Sequence, residues 1–187
     1  TAAVASQFTL SATASALVEM PSGRILLINS SAQVIFSDDR GATWKSIQAE
    51  TANTDDTFGF KAPSTGFTTH SIVRFHAVYH NGFITCIVEK DGAITESGGV
   101  TDRREIDHYV SKDFGISWTL VERIQPAWEA GLIGLGTSSA NVFDPMLSMD
   151  ALGQPIIVYA DKIDNSDQDR KLRYSRKKTP YSKFASN

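Results

Sequence analysis

Short apolar runs of four to eight residues recur along the chain, each closed by Gly, Ser, Asn or Asp. The first set covers residues 16–20, 24–29, 33–37 and 43–48. The same grammar returns at 73–80, 83–89, 106–111 and 117–123, and less cleanly at 146–149, 156–160 and 171–175. Runs of this length, rich in β-branched and apolar residues and bounded by turn formers, predict strands. No stretch of eleven or more residues keeps a 3.6-residue period, so the pattern predicts no substantial helix.

The runs form a repeat. Each copy has a strand, a glycine turn, a second strand, a variable stretch and a third strand that ends in serine. The glycine turns are Pro21-Ser22-Gly23-Arg24, His80-Asn81-Gly82-Phe83 and Ala151-Leu152-Gly153-Gln154, and the serines are Ser37, Ser111 and Ser175. The serines are spaced more widely than the roughly 40–50 residues that a four-stranded propeller blade needs. The surplus is assigned to polar loops at 50–69, 90–104 and 126–142. The expected organisation is a partial propeller over residues 1–187, with blade-like repeats at roughly 10–50, 70–125 and 142–184. Three repeats do not close a ring, so further blades from the same parent or from other chains are expected.

Two octapeptides follow the first two serines: Ser37-Asp38-Asp39-Arg40-Gly41-Ala42-Thr43-Trp44 and Ser111-Lys112-Asp113-Phe114-Gly115-Ile116-Ser117-Trp118. Both read S-x-D-x-G-x-[ST]-W. The serine and aspartate side chains suit a tight turn whose backbone would otherwise lack partners. The glycine supplies φ > 0, and the tryptophan pins the turn to the sheet with a large apolar surface. The third copy, Ser175-Arg176-Lys177-Lys178, lacks the Asp and the Gly.

The octapeptides resemble the Asp-box (BNR) repeat of sialidases and related six-bladed β-propellers. Val73-Arg74-Phe75-His76 sits where these enzymes often carry an x-Arg-Ile-Pro strand, with His76 in place of the proline. Asp144-Pro145, followed by Met149-Asp150-Ala151-Leu152-Gly153, resembles the opening of the next blade. The resemblance implies an all-β fold, sialidase-like, with about three four-stranded antiparallel blades in this chain. It also implies a glycoside hydrolase acting on sialic-acid glycans, including polysialic acid. Exo-sialidases place three Arg on the substrate carboxylate, with a Tyr nucleophile, its Glu partner and an Asp acid/base; of these only the first Arg maps readily, as Arg74. Phage endosialidases lack that Tyr and Asp and rely on a Glu and Arg residues, a set that Glu89 and Arg104 match. The alternative from another class is a non-catalytic carbohydrate- or receptor-binding propeller of a phage tail protein or adhesin. Either reading implies an extracellular or virion-surface setting, and the bulky loops suggest a homotrimeric fibre.

Composition narrows the picture. Of 187 residues, 41% are hydrophobic and 21% charged, so the chain can bury a core. Lys plus Arg is 18 and Asp plus Glu 21, a net charge of −3, which argues against a nucleic-acid binder working by bulk charge. No run approaches the roughly 18 apolar residues of a membrane helix. The single cysteine, Cys86, excludes an internal disulfide framework and a Cys-based zinc site, and is expected as a small buried apolar residue. Thr1 stands where an initiator Met or a leader pattern would, which reads as a processed chain or an excised piece. From Arg170 onward there are basic residues and no acidic one, which suits a solvated tail or a surface for an anionic glycan.

Position along the chain and the resemblance together nominate the candidate site residues. Arg74 lies in an apolar strand, where an unpaired charge is costly, so it needs an anionic partner: an internal carboxylate or a substrate one. His76 and His80 share its face by the period of two, and are expected either to line the same pocket or to be hydrogen-bonded strand histidines. Glu89 is the candidate general acid or oxocarbenium stabiliser, with a solvated turn residue as the plain alternative. Arg104 is the second candidate carboxylate ligand, and Arg170 a weaker third. Trp128, in a loop, is the candidate stacking platform for a sugar. Asp39, Asp113, Trp44 and Trp118 are assigned to the turns, and Asp107 to structure. The acidic loop at 161–169 lacks the glycine of a calcium loop, so neither metal nor cofactor is expected. The partner expected is a sialylated or other anionic glycan.

Overall fold

The computed structural model describes residues 16–28, 34–46, 67–96, 99–124, 141–162 and 170–176. They form eleven strands. The first sheet contains β1 (Ala16–Glu19), β2 (Ile25–Ile28), β3 (Val34–Ser37) and β4 (Lys45–Ser46). The second contains β5 (Phe67–His80), β6 (Phe83–Glu96), β7 (Gly99–Ser111) and β8 (Thr119–Ile124). The third contains β9 (Asn141–Met149), β10 (Pro155–Lys162) and β11 (Arg170–Arg176). Each sheet is an antiparallel meander in sequence order. The all-β, antiparallel blade organisation expected from the sequence is therefore present. The fourth strand expected after Ser175 would lie outside the described residues.

The sheets stack face to face. One face of the middle sheet carries Phe75, Ile84, Cys86, Val88 and Tyr109 into a core shared with Val18, Met20, Leu26, Ile28, Val34 and Phe36 of the first sheet. The other face carries Ile87, Ile106 and Ile124 against Ile157 of the third, flanked by Leu147 and Tyr159. Two buried faces explain why 83–88 reads as an almost unbroken apolar run rather than an alternating one. Cys86 is fully buried, as expected, and burial pushes its thiol pKa up. On the outward faces, by the same alternation, Leu17 (62% exposed), Met146 (65%) and Leu172 (78%) lie open. These are the faces that a continuing ring of blades would cover.

One loop expectation is overturned. Residues 90–104 are not a polar loop: β6 and β7 continue in unbroken register from Ile84↔Ser111 to Glu96↔Gly99. The glycines at 92, 98 and 99 were turn signals to the eye, but Ile94, Thr95, Val100 and Thr101 supply β-branched strand residues on both sides of the tip. Likewise β5 begins at Phe67 rather than Val73, and pairs with β6 out to Ile94. The remainder of the 50–69 loop, and most of the 126–142 loop, fall outside the described residues.

The two octapeptides fold alike. In each, the aspartate opens a turn whose two central residues have φ > 0, Arg40 and Gly41 in one and Phe114 and Gly115 in the other, the type I′ arrangement that suits strand twist. The Ser37 hydroxyl donates to Asp39 Oδ1 (2.7 Å) and accepts from the Gly41 N–H (2.7 Å), while Asp39 also accepts the Thr43 N–H (2.7 Å) and hydroxyl (2.5 Å). Ser111, Asp113, Gly115 and Ser117 repeat these bonds at 2.5–2.9 Å. Trp44 and Trp118 each donate Nε1–H to the glycine carbonyl at 3.1 Å. Both aspartates thus serve the turns, and Trp118 packs on the first core.

Gly115 combines φ +88° with contact to the neighbouring blade, because a Cβ there would stand 2.8 Å from Leu26 Cδ1. Gly23 has a similar φ of +85° but open space around it. Gly23→Ala is therefore expected to cost about 1–2 kcal/mol from backbone conformation alone. Gly115→Ala adds overpacking of roughly 1–3 kcal/mol. Urea unfolding of the two variants checks the difference.

The turns also set an acid limit. Bonds from the Thr43 hydroxyl and amide and from Ser37 lower the Asp39 pKa from 3.8 to about 2. For Asp113, burial works against ionisation, but the Ser117 and Ser111 bonds outweigh it and the pKa is again lowered. A depressed carboxyl pKa contributes stability that is present above the unfolded value and lost as pH falls through the folded one. Unfolding titrations from about pH 5 to about pH 2 are expected to show that loss in the wild type. The loss should shrink in an Asp39→Asn, Asp113→Asn double variant.

Candidate functional site

The seam between the second and third sheets gathers a cluster of charged side chains. Arg74 stands on β5 beside a register shift between Ile72 and Arg74, directly opposite Glu89 on β6. Two residues further along the ladder, Asp91 on β6 faces Arg104 on β7. Asp144 arrives from β9, where the register shifts opposite Val158 and Ala160. Its backbone is left-handed, φ +52°, immediately before Pro145. A residue preceding proline is ordinarily extended, and this conformation is disfavoured for any residue with a side chain, though Asp tolerates it better than most.

The geometry links all five groups. Arg104 Nη1 donates to Glu89 Oε1 at 3.0 Å, and its Nε lies 3.5 Å from Asp91 Oδ2. Arg74 Nη1 donates to Asp144 Oδ1 at 2.7 Å, and its Nε lies 3.9 Å from Glu89 Oε2. Burial separates their roles. The Glu89 side chain is wholly buried, whereas Arg74 is 40%, Arg104 36% and Asp144 55% exposed. Burial raises the Glu89 pKa above its ordinary value, against the opposing charges of Arg104 and Arg74. His76, one pleat along from Arg74, is half-buried. Desolvation first, and the Arg74 charge second, lower its pKa and favour the neutral imidazole.

The sequence-predicted residues thus divide. Arg74, Glu89 and Arg104 converge, and His76 lies beside them. They sit about five residues along β6 from the Ser111 pairing that opens the second box turn, roughly 17 Å at strand rise. The site is therefore well removed from the boxes, near the middle of the β6–β7 ladder. His80 does not join it. It stands at the glycine-turn end of β5, where its imidazole occupies the place a Cβ of Gly153 would take. Arg170 opens β11, paired with Lys162, and nothing is described of its side chain. Trp128 lies outside the described residues. Glu89 is not the exposed acid that a strand-end position suggested, because its partners on β5 and β7 bury it. Asp144 is the residue that strand reading alone left without a role. The signal for it was proline inside a strand pattern, which marks a bulge.

A second charged network backs the site on the opposite face of the same strands. Lys90, next to Glu89 and pointing the other way, donates to Asp107 Oδ2 at 2.6 Å and to the Tyr109 hydroxyl at 3.3 Å. Arg123 Nε reaches Asp107 Oδ1 at 3.2 Å. Asp107, fully buried and paired twice, has the structural role expected of it. A cavity of about 400 Å³ lined by Glu19, Met20, Pro21, Gly23, Arg40 and Tyr79 lies at the box end, away from this cluster.

No protein-family model and no curated protein matches the chain. Solved structures do. An α-L-arabinofuranosidase of Fusarium graminearum, in complex with arabinobiose, is similar over 92% of this chain and 46% of its own, with a TM-score of 0.52 and 19% identity. A Penicillium chrysogenum α-L-arabinanase complexed with arabinobiose gives 0.53 and 16% over 93% of this chain and 48% of its own. An exo-β-1,3-galactanase from Clostridium thermocellum gives 0.57 and 12% over 92% and 35%. The chain spans about half the length of these structures or less. Similarity at this identity shows the fold: three stacked blades of a β-propeller.

The raised Glu89 pKa carries a sign. A carboxyl with a folded pKa above its unfolded value contributes stability that is present at low pH and lost as pH rises through the folded value. Relative to Glu89→Gln, the wild type is therefore expected to lose stability as pH rises above the ordinary glutamate range. Chemical denaturation of both proteins from acid to neutral pH checks this; a pH-independent difference would overturn it.

Proposed function

We propose that this chain is part of a carbohydrate-active propeller of the glycoside hydrolase type, with its glycan site at Arg74, Arg104 and Asp144. The observation that carries the reading is the convergence of these groups from two adjacent blades, well along the strands from the box turns. Half-exposed guanidiniums and an exposed carboxylate are donors and acceptors suited to sugar hydroxyls. Buried Glu89 works through them as a positioning residue, holding Arg104 by a direct bond and Arg74 by charge. The structural neighbours support the reading by fold, since their names are those of arabinan-, xylan- and galactan-active hydrolases. The box turns add sialylated glycans to the classes to be tested. The remaining blades would come from the same parent or from other chains.

A second reading, a non-catalytic carbohydrate-binding propeller, is favoured by the burial of Glu89. Glycoside hydrolysis ordinarily needs two carboxyl groups flanking the scissile bond, and a wholly buried carboxyl does not reach one. The two readings separate in one experiment. A glycan array, followed by sugar release from arabinan, xylan, galactan and polysialic acid, tests binding and hydrolysis together. Arg74→Ala and Arg104→Ala are each expected to weaken binding about tenfold or more, the worth of a charged hydrogen bond. Binding without release selects the non-catalytic reading. Binding unchanged in both variants moves the site elsewhere.

A further inference from the structure

We propose that Asp144 is a specificity-determining residue, which occupies the Arg74 guanidinium and so restricts the site to uncharged glycans. The inference rests on the glycan reading of this cluster and names its substrate class.

The argument begins with commitment of donors. A sugar carboxylate is held best by two parallel N–H bonds from one guanidinium. Arg74 presents Nη1 to Asp144 at 2.7 Å and its Nε edge to Glu89 at 3.9 Å. Arg104 presents Nη1 to Glu89 at 3.0 Å and its Nε edge to Asp91 at 3.5 Å. In each arginine, then, Nη1 is bonded to a protein carboxylate and Nε lies toward a second one. The charge balance points the same way. Among the described side chains of the cluster, two guanidiniums meet the carboxyl groups of Glu89, Asp91 and Asp144. With Glu89 ionised the sum is negative, and with Glu89 protonated it is zero. Neither state offers net positive charge to an anion.

What the cluster does offer is acceptors. Asp144 is 55% exposed, so its carboxylate is open to solvent beyond its bond to Arg74. Sugar hydroxyls donate to carboxylates; sugar carboxylates are repelled by them. The backbone supports a dedicated role. Asp144 keeps φ +52° in front of Pro145, at a register shift in β9, which is an unfavourable conformation held by its surroundings. That conformation carries the carboxylate across the seam between blades to Arg74.

Asp144→Asn removes the charge and keeps a residue that tolerates the left-handed backbone. The test is calorimetric titration of the full chain with matched probes: galactobiose against digalacturonic acid, and lactose against sialyllactose. The wild type is expected to prefer the neutral member of a pair. Asp144→Asn is expected to raise affinity for the acidic member about fivefold, the equivalent of an exposed ion pair of about 1 kcal/mol. Adding Arg74→Ala is expected to abolish that gain. Preference of the wild type for the acidic member, or an unchanged ratio in Asp144→Asn, overturns the inference and leaves the glycan reading standing. Failure of folded wild type and Asp144→Asn to bind any member, with no binding on the glycan array either, overturns the glycan reading itself, and the inference with it.

Discussion

Everything in this structure depends on the middle sheet being buried on both faces. Its strands alternate between two apolar seams, Phe75, Cys86 and Val88 toward the first sheet and Ile87 and Ile106 toward the third. A sheet so placed cannot slip by one residue, because each slip would exchange the two seams. The ladder from Ile84↔Ser111 to Glu96↔Gly99 is accordingly continuous. That fixed register is what places Arg74, Glu89 and Arg104 on one face, within two residues of one another along the ladder. The same constraint sends adjacent Lys90 to the other face, where it meets Asp107 rather than Glu89.

The box turns sharpen this arrangement from one end of the sheet. The aspartate and serine of each box satisfy the turn's own backbone, so the connection from the third strand to the fourth is rigid without outside help. Gly115 then lets that rigid turn press on Leu26 of the neighbouring blade. His80 against Gly153 makes a similar contact across the next seam. Close packing is concentrated at this end. The glycine-turn end holds the Gly115–Leu26 and Gly153–His80 contacts; the charged cluster lies further along the strands.

Much of this was legible in the residues. The serine anchors, Asn81-Gly82 and the two octapeptides are short-range signals whose meaning is decided within a few bonds, and they placed the strands and turns. Arg74, Glu89 and Arg104 were legible as a group through the resemblance to sialidase blades, although Arg104 was expected before a strand and stands within one. Residues 90–104 misled because Gly92 and Gly99 are turn formers in isolation, and only pairing with neighbouring strands makes them strand. Glu89 misled because burial is a property of its neighbours on both sides, not of its place at the end of an apolar run. Asp144 was hidden for a stronger reason. Its partner is seventy positions away on another blade, at 2.7 Å, and no local pattern encodes a contact between sheets.

The charges of the site follow from where the blades meet. A guanidinium entering an apolar seam needs an anion. Arg74 draws on two, one from its own sheet and one from the next. The second is the consequential one, because Glu89 is sealed in and Asp144 is not. A buried counter-ion fixes the arginine; an exposed one also decides what else can approach it. Charge compensation across the seam therefore does two things at once. It allows Arg74 to sit between blades, and it turns an anion-binding fork into a surface of mixed donors and acceptors. A propeller that kept Arg74 and Glu89 but lost Asp144 would present the fork to solvent, and would be a different binding site on the same fold.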